Sequence, residues 1–189
     1  MNVRQLWILG MMVLFLAAGT VCVSAQQISL KSNAAYLATA TPNIAVEIGL
    51  SPRVTLEVGG GYNPFGSSDK SFKHFLVQPS LRWWMWRSFA GTFVGVHAHG
   101  GTYDVGGFGP LTSLKENNYD GWLVGAGVSI GRHWLLTDRW GVEAEIGFGY
   151  VRMQYDKKPY GEVEEPEWKK FKNNYFGPTR LNFSLVYYL

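Results

Sequence analysis

From Gln27 to Leu189, apolar residues recur at every second position. That is the period of a β-strand, whose successive side chains point to opposite faces. Ile44, Val46, Ile48 and Leu50 alternate with polar or small residues, as do Val54, Leu56 and Val58. Phe75, Val77, Leu81 and Trp83 alternate with Gln78, Ser80, Arg82 and Trp84, and Val94, Val96 and Ala98 with His97 and His99. Trp122 to Ile130, Val142 to Tyr150 and Leu181 to Leu189 repeat the pattern, and a weaker first strand covers Gln27–Leu37. The count is eight strands with no helical period. Most are about 9–11 residues long, the length a tilted strand needs to cross a hydrocarbon layer.

The connections alternate in length. Ser51–Arg53, Arg87–Phe89 and Leu135–Arg139 read as tight turns; Asn63–His74, Asp104–Tyr119 and Asp156–Asn174 read as long polar loops. Ala38–Pro42 is the exception, short on the long-loop side. Short turns at one rim and long loops at the other predict an all-β fold, an eight-stranded antiparallel up-and-down transmembrane β-barrel of the bacterial outer membrane. A soluble barrel also alternates, with its apolar face inward. Two features favour the membrane form. Only 16 % of residues are charged, against roughly 25 % in soluble domains, and the polar face is Gly, Ser and Asn with isolated charges. Aromatics also gather at strand ends. Trp83, Trp84, Trp86, Trp134, Trp140, Tyr187 and Tyr188 fall near the turn side, and Tyr62, Phe75, Trp122, Tyr150 and Tyr175 near the loop side. Such belts match the girdles of membrane barrels.

The first 25 residues read as a cleaved signal peptide, leaving 26–189 as the barrel. Arg4 precedes an apolar core from Leu6 to Ala18, too short for a spanning helix, and Val23-Ser24-Ala25 supplies a cleavage site. Cys22, the one cysteine, leaves with it, so no disulfide framework is expected. A net charge of +3 is too small and scattered for a nucleic-acid footprint.

Lys31, Arg82 and Arg180 share the inner-face parity with Glu47, Glu57, Glu143 and Glu145. Isolated charges in a narrow lumen are costly, so these seven are expected to pair. A sealed plug is favoured over a gated pore, because eight strands leave just enough room for side chains to fill.

Signal peptide plus eight strands resembles the small outer-membrane barrels of the OmpA and OmpX kind. Thr41-Pro42-Asn43-Ile44, Val46-Glu47-Ile48-Gly49, Gly59-Gly60-Gly61-Tyr62-Asn63-Pro64, Tyr175-Phe176-Gly177-Pro178-Thr179-Arg180 and the terminal Leu185-Val186-Tyr187-Tyr188-Leu189 resemble a family of uncharacterised Bacteroidota outer-membrane proteins. That resemblance implies recognition by the barrel-insertion machinery and accompaniment of fimbrial or surface-assembly genes. Insertion signals usually finish on an aromatic; here Leu189 is last and Tyr187 stands two before it.

Chemistry-bearing motifs are sparse. His97 and His99 share a face, but no third metal ligand stands beside them, so no metal or cofactor is expected. His74 with Ser67, Ser68 and Asp69 contains the residue types of an acyl-transfer site, yet a polar loop commonly holds such residues. The Asp156–Asn174 loop balances five acids against five bases, and its Tyr160 and Trp168 are candidate contacts for lipopolysaccharide or a surface or fimbrial protein. Asn117–Gly121 and Asn173–Gly177 read as equivalent lead-in turns. The leading expectation is a non-catalytic barrel with a structural, adhesive or surface-assembly role; a lipid-A-modifying enzyme and a narrow pore are the alternatives.

Overall fold

A computed structural model describes residues 27–67, 70–106, 117–159 and 169–189. The segment read as a signal peptide, Cys22, Ser68, Asp69, Tyr160 and Trp168 lie outside the described residues.

Eight long antiparallel strands close into a ring. They are β1 (Ile28–Asn33), β2 (Asn43–Ser51), β3 (Val54–Asn63), β5 (Lys70–Trp84), β6 (Gly91–Gly106), β7 (Asn117–Leu135), β8 (Trp140–Pro159) and β9 (Lys169–Tyr188), and β4 is a two-residue arm (Gly66–Ser67) paired to the start of β5. Neighbours run up and down in chain order; β1 pairs with β9, and β3 pairs with β5 across the arm.

Three expectations need correction. The first strand stops at Asn33, and Ala34–Ala38 form a one-turn helix, α1, because the Asn33 carboxamide accepts the Ala35 N–H and caps it. The segments read as long loops are largely strand: β8 continues to Pro159, β9 begins at Lys169, and both supposed lead-in turns lie within β7 and β9. The strands are correspondingly unequal, six residues in β1 against 20 in β8 and β9, so β5 to β9 rise as a tall wall over the β1–β3 side.

Below the top of β3 the ring is polar inside and apolar outside. Val58, Val96, Val128 and Leu181 point outward and are 47–70 % exposed. Above it the alternation inverts without a break in register. Inward positions become Tyr103, Tyr119, Val151, Met153, Tyr155, Phe171 and Tyr175, while outward positions become Asp104, Asp120, Gln154, Asp156 and Lys172. The constant side-chain parity along each strand is what makes this a change of surroundings rather than of geometry. On β9 the one slip, an extra residue at Thr179 opposite Gly147/Phe148, turns Arg180 back into the lumen.

Inside, rings from one strand lie against glycines of the next. A Cβ on Gly125 would sit 2.3 Å from the His99 ring, and one on Gly127 would sit 2.3 Å from the Phe148 carbonyl and 2.9 Å from His97. Gly127→Ala is therefore expected to lose about 1–3 kcal/mol through overpacking. Gly60→Ala, whose Cβ would meet only the Leu76 carbonyl at 3.6 Å, should stay within about 0.5 kcal/mol. Equilibrium denaturation of the two variants checks the contrast.

Candidate functional site: a charged lumen and an aromatic base

The alternation delivers the same parity from every strand to the ring interior, and there the charged residues converge. Arg82 on β5 meets all four acids: its Nη1 lies 3.1 Å from Glu47, 2.7 Å from Glu57 and 3.0 Å from Glu143, and its Nη2 donates to Glu145 at 2.6 Å. Lys31 on β1 reaches Glu47, Glu57 at 3.1 Å and Glu143 at 2.6 Å. Arg180 on β9 pairs with Glu57 and, through Nε at 3.0 Å, with Glu145. The structure thus brings all seven charged residues of the lumen into one cluster, each almost entirely buried.

Geometry explains why the cluster must be complete. Glu47 and Glu57 stand directly opposite each other on β2 and β3, a like-charge placement that is destabilising by itself. Lys31 and Arg82 bridge them. Three cations face four acids, and His133 from β7 stands 3.7 Å from Glu143. The ring of Phe93 on β6 receives the Arg82 guanidinium at 4.5 Å from its centroid, a cation–π contact. Every long strand therefore contributes to this one layer.

Below the charges lies an aromatic base that parity signalled but the girdle reading misplaced. Trp84 and Tyr188 share the parity of Arg82 and Ser184, and the structure turns both inward rather than into a belt. Trp84 is fully buried, its Nε1 donating to the Thr55 hydroxyl at 2.9 Å, and Thr55 in turn donates to Glu47. Tyr188 hydrogen-bonds His133 at 2.8 Å. Phe89, from the turn between β5 and β6, inserts between them, 5.9 Å from Trp84 and 5.6 Å from Tyr188 by ring centroids. It does so at φ 62°, a left-handed conformation that strains a bulky residue by roughly 1–3 kcal/mol and persists only where packing enforces it. Nothing in the local sequence announced Phe89, because a positive φ without glycine leaves no compositional mark.

Of the remaining girdle candidates, Tyr175 also turns inward, sharing the parity of Val151 opposite it, and the others face outward. Trp83, Trp86, Trp134 and Trp140 ring the turn side and are exposed; Tyr187 packs against Trp140 at 4.9 Å with the rings tilted by 60°. Trp122 and Tyr150 face outward near the upper level. His97 and His99 stack on each other at 5.8 Å, and His97 Nε2 lies 2.9 Å from the Thr179 hydroxyl. Among the described residues no three metal-ligating side chains group together. His74 sits at the upper rim, 3.4 Å from the Thr41 hydroxyl, and burial pushes its imidazole below the ordinary value. On β6, directly opposite His74, burial pushes the Tyr103 phenol up, with Tyr155 and Asp120 adding to it.

With the ring and its lumen described, comparison with known families gives one match. A family described as a protein of unknown function, DUF3575, matches residues 11–189. The chain belongs to that family. No curated protein matches it. The family description names no activity, so the chemistry of the chain rests on its own residues.

Arg82→Met is expected to cost about 3–5 kcal/mol, because it leaves four buried acids short of their shared partner. Arg132→Met, which removes only an exposed guanidinium 5.8 Å over Trp134, should cost about 1 kcal/mol at most. Denaturant titration of both variants measures the difference.

Proposed function

We propose that this chain is an integral protein of the bacterial outer membrane. In this reading it is a non-catalytic barrel that carries a structural, adhesive or surface-assembly role on its tall β5–β9 wall. The single observation behind the reading is the inversion of the apolar face at one height along the strands that rise above β3. Below that height large apolar side chains face out; in water such a continuous belt would be a patch far larger than soluble monomers expose. Above it the apolar residues turn inward and acids and lysine face out, as a sheet surrounded by water requires. A bilayer around the lower part is the surrounding that makes both halves favourable. The tight turns then face the periplasm, and both ends of the ring lie on that side.

The seven-residue charge cluster over the aromatic base favours a sealed lumen over a pore, since small eight-stranded rings fill with side chains. The role is accordingly assigned to the exposed wall, where a surface or fimbrial protein would bind. The barrel-insertion machinery is the partner that a terminal strand such as β9 implies.

Outer-membrane fractionation followed by gel mobility with and without boiling tests the location. A heat-shifted band in the outer-membrane fraction is the expected result. A soluble periplasmic protein without a shift would overturn the reading. For the role, shortening the β8–β9 hairpin above Gln154 and Lys172 should leave the heat shift intact and reduce surface assembly or adhesion. An unchanged surface phenotype would sink the assignment to the wall.

A further inference from the structure

Two features of the outer wall meet on adjacent strands. The first is an apolar furrow of about 640 Å³ on the outside of β5–β8, lined by Leu81, Val94, Val96, Val128, Ile130 and Phe148. The second is a pair of cations above it. Arg152 on β8 and Lys172 on β9 both point outward and are exposed. Their registers, Arg152 opposite Asn174 and Lys172 opposite Gln154, make them diagonal neighbours on one face. Neither forms an ion pair among the described residues.

The two features are joined by a path of the right shape. Arg152 stands four residues above Phe148 on β8, roughly 13 Å at the rise of a strand. The outward residues between the furrow and that level are the directly paired Ala98 and Ala126, which leave the wall shallow, flanked by Tyr150 opposite Ala126. Phe176, opposite Tyr150 and 80 % exposed, borders the cations from below. Gln154 and Asn174 supply amide groups beside the charges. Asp156 is on the same face, opposite Lys170 and, like Arg152, diagonal to Lys172; no ion pair joins it to Lys172 among the described residues.

We infer that this wall holds a phosphorylated, acylated lipid of the outer leaflet, with its phosphate on Arg152 and Lys172 and one acyl chain in the furrow. The inference rests on the membrane reading and adds the site to it. An anionic head group is complementary to two cations that form no ion pair among the described residues, and Arg with carboxamide neighbours suits phosphate oxygens. An acyl chain suits a furrow with no polar side chain on its outer face. The apolar band below and the charged rim above continue into each other, so one amphiphile satisfies both.

The test is native mass spectrometry of the intact, detergent-solubilised protein, titrated with lipid A and, separately, with phosphatidylcholine. Preferential retention of lipid A is expected. The double variant Arg152→Gln with Lys172→Gln should weaken it roughly tenfold or more, as loss of charge-assisted contacts predicts. Val128→Trp, which fills the furrow, should weaken it separately, whereas Arg132→Gln at the opposite rim should leave it unchanged. Each variant is first shown to keep its heat shift, so that failure to fold is recognised. Equal retention of both lipids, or no loss in the double variant, would overturn the proposal. Displacement by inorganic phosphate alone would overturn it too, since a site for free phosphate needs no furrow. A protein that is water-soluble on fractionation would instead remove the membrane reading on which the site depends.

Discussion

Arg82 meeting four buried carboxylates is the interaction on which the rest of the interior depends. Removing seven charges from water is tolerable only where opposite charges and hydrogen bonds replace the lost solvation. The barrel meets that condition by drawing the partners from different strands. Glu47 and Glu57, adjacent on β2 and β3, repel until β1 and β5 bring Lys31 and Arg82. The hydroxyl of Thr55 then carries the network down to Trp84, coupling the ionic layer to the aromatic base. Charge, rather than apolar packing, defines the centre of this molecule.

The same parity has opposite meaning at two heights. In the lower ring it separates a polar inside from an apolar outside; in the upper wall it places Tyr119, Tyr155 and Phe171 inside, where Tyr155 stacks on Phe171 at 5.7 Å and meets Tyr119 edge-on at 5.5 Å. The chain need not change its backbone to pass from one environment to the other. It changes only which parity carries the apolar residues, between Trp122 and Asp120 on β7 and between Tyr150 and Arg152 on β8.

Much of this was legible in the sequence because parity survives folding. Lys31, Glu47, Glu57, Arg82, Glu143, Glu145 and Arg180 carry inner parity, and so do Trp84 and Tyr188, which an aromatic count at strand ends had placed in a belt. What the alternation could not show was strand length. Polar residues such as Asp156, Lys172 and Asn174 look like loop when surrounded by charge, yet they are the water-facing half of strands whose other half is Tyr155, Phe171 and Tyr175. Helix α1 was missed because it is one turn long and rests on a single cap from Asn33. Phe89 was missed because its position is enforced by the rings around it rather than by its neighbours in sequence.

The seam between β1 and β9 is only five residue pairs long, from Ser29 opposite Tyr188 to Asn33 opposite Ser184. It closes the ring, and Lys31 sits at its middle. If β1 docked one residue out of register, every side chain on it would change face. Lys31 would leave the lumen, and Glu47, Glu57 and Glu143 would lose a shared cation at once. Closure of the ring and neutralisation of its interior are therefore one event: the lysine on the shortest long strand works as a register check, accepting the last seam only in the alignment that completes the cluster.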